Sequence, residues 1–117
     1  MPDVYDIPVA FIFYNRPDQT RQSFAAIRAA RPAILYLIAD GPKDAADAER
    51  VAAARRVVAT VDWPCDVRPL MADTNLGCGQ RVASGLDRVF AECDMAIVLE
   101  DDIVATPAFF QFCRAML

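Results

Sequence analysis

The sequence predicts an α/β fold, a mostly parallel sheet of about four strands flanked by helices. Three observations carry this. Short apolar runs alternate with longer segments whose apolar residues recur at helical spacing. The runs are continuous rather than alternating, as in strands buried on both faces. Apolar residues make up 56% of the 117-residue chain, which argues against a disordered tail and for a single domain with a sizeable core.

Pro8 to Tyr14 is a continuous apolar run and reads as a central strand. Asn15-Arg16-Pro17-Asp18 ends it. Asn15 or Arg16 sits at the cap, and Pro17 suits the first helical position, where a missing N–H costs nothing. Thr20, Phe24, Ile27 and Arg31 share one helical face, and Pro32 stops the helix. Ile34 to Ala39 is the second strand, closed by the turn signal Asp40-Gly41-Pro42. Asp44 caps the next helix, with Asp47 in a capping-box position. Val51, Ala54, Val58 and Val61 face the sheet there, and Arg50, Arg55 and Arg56 face water. Trp63-Pro64 breaks that helix. Asp66 to Ala72 is a third strand, placed at an edge because Pro69 cannot donate to a ladder. A glycine-rich loop, Asp73 to Gly79, leads to a third helix with Val82, Leu86, Val89 and Phe90 on one face. Met95 to Leu99 is a buried fourth strand running into Glu100-Asp101-Asp102. A last helix begins at Thr106-Pro107 and carries Phe109, Phe110, Phe112, Cys113 and Met116.

Composition excludes several classes of function. Net charge is −4 with Lys and Arg scattered, so there is no basic stripe for nucleic acid. No apolar run approaches the roughly 18–20 residues of a transmembrane span. Met1 to Asp6 lacks the basic start of a signal peptide, so a cytoplasmic location is expected, with membrane-peripheral association open to a longer parent protein. Cys65, Cys78, Cys93 and Cys113 form no CxxC pair, and there is no histidine. A zinc site, a Ser-His pair and a Cys-His pair are therefore unsupported. The cysteines read as reduced, small hydrophobes.

In a parallel sheet every strand's carboxyl end opens on one edge, where ligands bind. Four polar clusters therefore converge: Asn15-Arg16, Asp40, Asp73-Thr74-Asn75 and Glu100-Asp101-Asp102. Along an extended strand end, Glu100 and Asp102 lie on one side and Asp101 on the other. Three adjacent carboxylates repel one another, which makes most sense if a cation shares the site. Hard oxygen ligands suit Mg²⁺ or Mn²⁺, which would neutralise a diphosphate leaving group. The alternative is that these acids are caps and solvated loop residues. Asp40 is either an acceptor for a base imide N–H or a turn residue beside Gly41. Asn75 to Gly79 either brings amides to a phosphate or is a close-packing turn. It is not a dinucleotide fingerprint, because Val82 stands where the third glycine would fall. Arg81 pairs with phosphate or covers its helix, and Tyr14 stacks on a base or simply ends a core strand. Response-regulator receivers and haloacid-type phosphatases usually place an Asp at the end of the first strand; Tyr14-Asn15 counts against both.

Taken together, Phe13-Tyr14-Asn15-Arg16, Ala39-Asp40-Gly41, Asn75-Leu76-Gly77 and the segment from Leu99-Glu100-Asp101-Asp102 to Thr106-Pro107-Ala108-Phe109-Phe110 resemble the nucleotide-binding half of a GT-A glycosyltransferase, close to family 2. The acidic segment resembles the Glu-Asp-Asp version of the DxD motif. The resemblance spans essentially the whole chain. It implies one Rossmann-like domain over residues 1–117, a nucleotide-diphospho-sugar donor with a UDP-sugar favoured, an acceptor of unknown identity, and Mn²⁺ or Mg²⁺. It implies that Asp40 accepts from the base and that Asn15 and Arg16 line the base and ribose pocket, with Tyr14 and Arg81 beside the donor. Asp101 would lie near ribose and sugar, Glu100 would support the cluster, and Asp102 would hold the metal. Family-2 members often carry an Asn near the place of Ala83, whereas Gly85 fits. The family's acceptor half and catalytic base follow the acidic helix, so this chain is expected to be the donor-binding part, with an apolar patch or self-association surface at its last helix. Two other readings stand beside this one. One is a non-catalytic nucleotide-binding domain or part of a larger assembly. The other is a nucleotidyltransferase, ranked last because Asn15-Arg16-Pro17-Asp18 replaces that class's glycine-rich signature.

Overall fold

The computed structural model describes residues 5–117; Met1 to Val4, part of the stretch read above for a leader, lie outside the described residues. Strands β1 (Val9–Phe13), β2 (Ile34–Ala39), β3 (Asp66–Met71) and β4 (Ile97–Glu100) alternate with helices α1 (Pro17–Ala30), α2 (Ala45–Val58), α3 (Cys78–Glu92) and α4 (Pro107–Met116). All strand pairs are parallel, in the order β3-β2-β1-β4. The fold is the expected α/β, Rossmann-like one. The chain winds outward from β1 to β2 and β3, then crosses back to place β4 on the other side of β1.

Local chemistry explains the helix ends. Arg16 is the N-cap of α1 and Pro17 its first residue, as the sequence suggests. Arg31, expected on the buried face, instead closes α1 in the left-handed conformation at φ 56°, and its amide bonds to Ile27. Asp44 caps α2 by accepting from the Asp47 amide at 2.8 Å. Thr106 caps α4 by accepting from the Phe109 amide at 3.1 Å, with Pro107 at its first turn.

The two faces of the sheet are covered unequally. On one face Phe11, Phe13, Leu35 and Leu37 meet Phe24, Ile27, Ala54, Val58 and Trp63, with Phe110 of α4 in the same cluster. Each of the Phe, Leu, Ile and Val side chains contributes about 1.5–3 kcal/mol by leaving water. The Trp63 indole N–H is not lost on burial, because it donates to the Pro32 carbonyl at 2.8 Å. On the other face Ala10, Tyr36, Ile38 and Val89 form a smaller cluster under α3 alone. The expectation of full cover on both faces is therefore corrected. β4 is an edge strand with alternating buried and exposed residues, not a buried one. Its run of apolar residues resembles a central strand in sequence, but α3 packs over β2 and β1 and leaves Val98 exposed. Phe90, assigned to the buried face of α3, is likewise exposed. Pro69 does sit on the opposite edge strand, β3, as predicted.

Gly85 is where α3 comes closest to the sheet. A Cβ there would lie 2.7 Å from Ile38 Cγ2, a branched atom held in the core. Gly85→Ala is expected to destabilise the fold by about 1–2 kcal/mol, because overpacking outweighs the gain in helix propensity. Urea unfolding measures this; an unchanged or raised midpoint would contradict the packing described.

Candidate functional site

A cavity of about 350 Å³ opens at the carboxyl ends of β1, β2 and β4, on the α3 side of the sheet. This is where the winding direction reverses between β1 and β4, the usual place for ligands in open α/β sheets. Ile12, Phe13 and Ile38 contribute apolar wall. Tyr14, Arg16, Asp40, Arg81, Glu100 and Asp101, all singled out from sequence, line it, joined by Lys43, Asn75, Gly77 and Cys78.

Asp40 is buried and its carboxylate is largely engaged by the chain itself. Oδ1 accepts from the Gly41 and Leu76 amides, each at 2.8 Å, and Oδ2 accepts from the Gly77 amide at 3.0 Å. One lone pair of Oδ2 remains for a ligand. The acid thus holds the glycine loop at the mouth of the cavity. Gly41 permits this closeness, since a Cβ there would lie 2.5 Å from the Thr74 main chain. Gly77 opens α3 at φ 89°, a conformation that favours glycine, and offers no side chain to cap it. The first turn of α3 therefore presents its amides toward the cavity rim without a side-chain acceptor.

Asp47 is the residue that sequence reading undervalued. Its side chain does not reach back to the Asp44 amide as a capping box would. It accepts instead from the Tyr14 hydroxyl in a short bond, from Asn15 Nδ2 at 2.7 Å and from the Lys43 amide at 3.0 Å. These bonds, the tyrosine's foremost, hold its carboxyl well below the usual carboxylate range. Asn15 is thereby drawn to α2 and does not line the cavity. Burial first, then the bond to Asp47, pushes the Tyr14 phenol up to about 12. Asn75 completes the group, donating to Tyr14 Oη at 3.3 Å and to the Gly41 carbonyl at 2.9 Å. Arg55, expected in water, donates to the carbonyls of Asp40 and Ala72 at 3.1 and 2.8 Å and ties the ends of β2 and β3 together.

The acidic segment differs most from expectation. β4 ends at Glu100, and a turn closed by the Ile103 amide on the Glu100 carbonyl follows at 3.0 Å. The extended alternation assumed for the three acids therefore fails. Glu100 and Asp101 both line the cavity, while Asp102 is exposed and does not. Asp101 is buried, and its main-chain carbonyl accepts from Ser23 at 2.7 Å. Burial pushes its carboxyl pKa up, against the pull of Arg16. Among the described residues no group of three or more His, Cys, Asp or Glu side chains converges. A metal cage built by the protein alone is thus not formed around Asp102. Two carboxylates facing one cavity fit Mg²⁺ or Mn²⁺ only in the way those ions are held alongside a phosphate ligand.

Arg81 Nε is buried beside the cavity and, among the described residues, has no hydrogen-bond partner. Lys43, Arg16, Glu100 and Asp101 line the same cavity, with Arg16 near enough to Asp101 to pull its carboxyl pKa down. Cys78, read as a small hydrophobe, is exposed and lines the same cavity at the start of α3. Comparison with protein-family models, with curated proteins and with solved structures gives no match.

Two predictions test this geometry. The stability that Asp47 contributes is complete above the ordinary Asp value near 4 and is lost as pH falls below it. Asp101, with its raised pKa, works in the opposite sense. Asp47→Asn is expected to be less stable at neutral pH and to show a shallower loss of stability under acid. Denaturation midpoints across pH 2–7, an approximate range bracketing the Asp value, measure both; a parallel curve would remove Asp47 from the account. Separately, burial comes first in raising all three tyrosines, Tyr5, Tyr14 and Tyr36, above the ordinary value near 10. Alkaline absorbance titration of the folded protein should show no phenol ionising at that value. A step there with native circular dichroism would contradict the burial described.

Proposed function

We propose that this domain binds a nucleotide-diphospho-sugar, most simply a UDP-sugar, as the donor-binding half of a GT-A-type glycosyltransferase. The observation that carries the reading is the pairing, in one switch-point cavity, of an uncapped helix N-terminus beside Arg81 and Lys43 with the Tyr14 ring and two carboxylates. A diphosphate suits the first part, since helix amides and guanidinium groups both favour phosphate oxygens. A nucleoside suits the Tyr14 ring and the apolar wall. The remaining lone pair of Asp40 Oδ2 is available to a base N–H.

Mg²⁺ or Mn²⁺ would enter with the diphosphate and supply charge neutralisation of the leaving group. Glu100 and Asp101 are the residues that would hold it, and Asp102 follows on the adjoining turn. Ionised Glu100 and Asp101 would also repel a diphosphate lacking its cation, which makes donor binding depend on the metal.

Isothermal titration with UDP tests the reading. Binding is expected with Mn²⁺ and is expected to weaken strongly in chelator. Arg81→Ala should weaken it about 10–100-fold, the worth of a charge-assisted bond of about 1.5–3 kcal/mol. A folded protein that binds no UDP in either condition would overturn the proposal.

A further inference from the structure

Tyr14 is the ring that the donor-site reading gives to the nucleoside, and its hydroxyl is engaged inside the chain. The single O–H donates to Asp47 Oδ2 in a short bond, and one lone pair accepts from Asn75 Nδ2 at 3.3 Å. The hydroxyl therefore has no proton left to offer a ligand. What Tyr14 brings to the cavity is its ring, held at one end by the main chain just after β1 and at the other by Oη. A phenol fixed at both ends cannot change rotamer without breaking a charge-assisted bond. Asp47 is the fixed point of this arrangement. It lies in the first turn of α2, is 3% exposed and does not itself line the cavity. Its Oδ1 accepts from Asn15 Nδ2 at 2.7 Å, and the Lys43 amide shares Oδ2 with Tyr14 at 3.0 Å. A carboxylate met by these donors from both sides is itself locked, so it offers the Tyr14 hydroxyl one direction of approach. Capping does not require this, because the α2 cap is supplied by Asp44.

We propose that Asp47 is a positioning residue of the donor site, acting through the Tyr14 hydroxyl to hold the ring in the orientation on which the base stacks. This role rests on the donor-site reading above and extends it to a side chain that does not line the cavity. Tyr14 is ordered before the ligand arrives. The cost of immobilising one such side chain, about two- to tenfold in affinity, is therefore met in folding and does not weaken binding. The effect belongs to the nucleoside end. The side-chain partners of Asp47 are Tyr14, Asn15 and Arg50, none of them on α3 or in the acidic segment.

Calorimetric titration of the full chain with UDP and with inorganic pyrophosphate, both in Mg²⁺, tests this. Asp47→Ala and Tyr14→Phe are each expected to lower the ratio of UDP to pyrophosphate affinity about two- to tenfold. The double variant is expected to lower it no further, because the carboxylate acts through the hydroxyl. A cavity that merely loosened would lose both ligands together and leave the ratio where it was. An unchanged ratio in either single variant, or losses that multiply in the double, would overturn the proposal. Tyr14→Phe nearly conserves side-chain volume and decides alone if Asp47→Ala does not fold. If pyrophosphate binds too weakly to measure, the UDP losses are compared in the same cycle with the same outcomes. Wild-type protein that binds UDP, with variants that bind it equally well, removes the role of Asp47 alone. Wild-type protein that binds no UDP overturns the donor-site reading and this role with it.

Discussion

The mouth of the cavity depends on two carboxylates whose hydrogen bonds point into the chain. Asp40 gathers the amides of Gly41, Leu76 and Gly77, and Asp47 gathers Tyr14, Asn15 and the Lys43 amide. Buried anions are tolerated when several donors meet them. Here the donors come from the ends of β1 and β2 and from the segments on either side. The acids thus join elements that the sheet ladder alone would leave as free loops. Arg55 reinforces the same region by bridging the carbonyls of Asp40 and Ala72.

That anchoring gives the cavity its polarity. The reversal of winding at β1 leaves a cavity at the carboxyl ends of β1 and β4, bordered by the start of α3. Arg81 of α3, Lys43 before α2 and Arg16 before α1 line it together with Glu100 at the end of β4 and Asp101 in the turn after it. Arg81 Nε, buried and without a partner among the described residues, marks where an anion would gain most, because desolvation has already been incurred. The raised pKa of Asp101 has the same origin: a carboxyl withdrawn from water with only Arg16 and main-chain amides near enough to offset the burial.

Much of this was legible in the chain and some was not, for identifiable reasons. Continuous apolar runs, Pro17, Pro32 and Asp44 are local signals, and the eight elements follow from them in order and type. Parallel pairing follows from the alternation, and with it the gathering of Tyr14, Arg16, Asp40, Arg81, Glu100 and Asp101 at one cavity. Strand order is a tertiary fact, so the exposure of Val98 and Phe90 could not be read from their apolar neighbours. Asp47 is three residues after an N-cap and looks like a helix-start acid; only the position of Tyr14 across the fold reveals its other role. Arg55 looks like a solvated helix residue until the ends of β2 and β3 come within its reach. The resemblance gives Asp102 the metal; the extended strand end that would set it beside Glu100 does not form, because the bond from Ile103 to Glu100 turns the chain first.

The proposed occupant of the switch-point cavity is a nucleoside diphosphate, its phosphates toward the start of α3. Amide chemical-shift mapping during titration with UDP and Mg²⁺ tests this directly, residue by residue. The account predicts that the largest changes fall on Cys78, Gly79, Gln80 and Arg81, on Tyr14 and on Glu100 and Asp101, with the outer face of α2 unmoved. Saturable shifts confined to surfaces away from these residues, or no shifts at all in the folded domain, would contradict it.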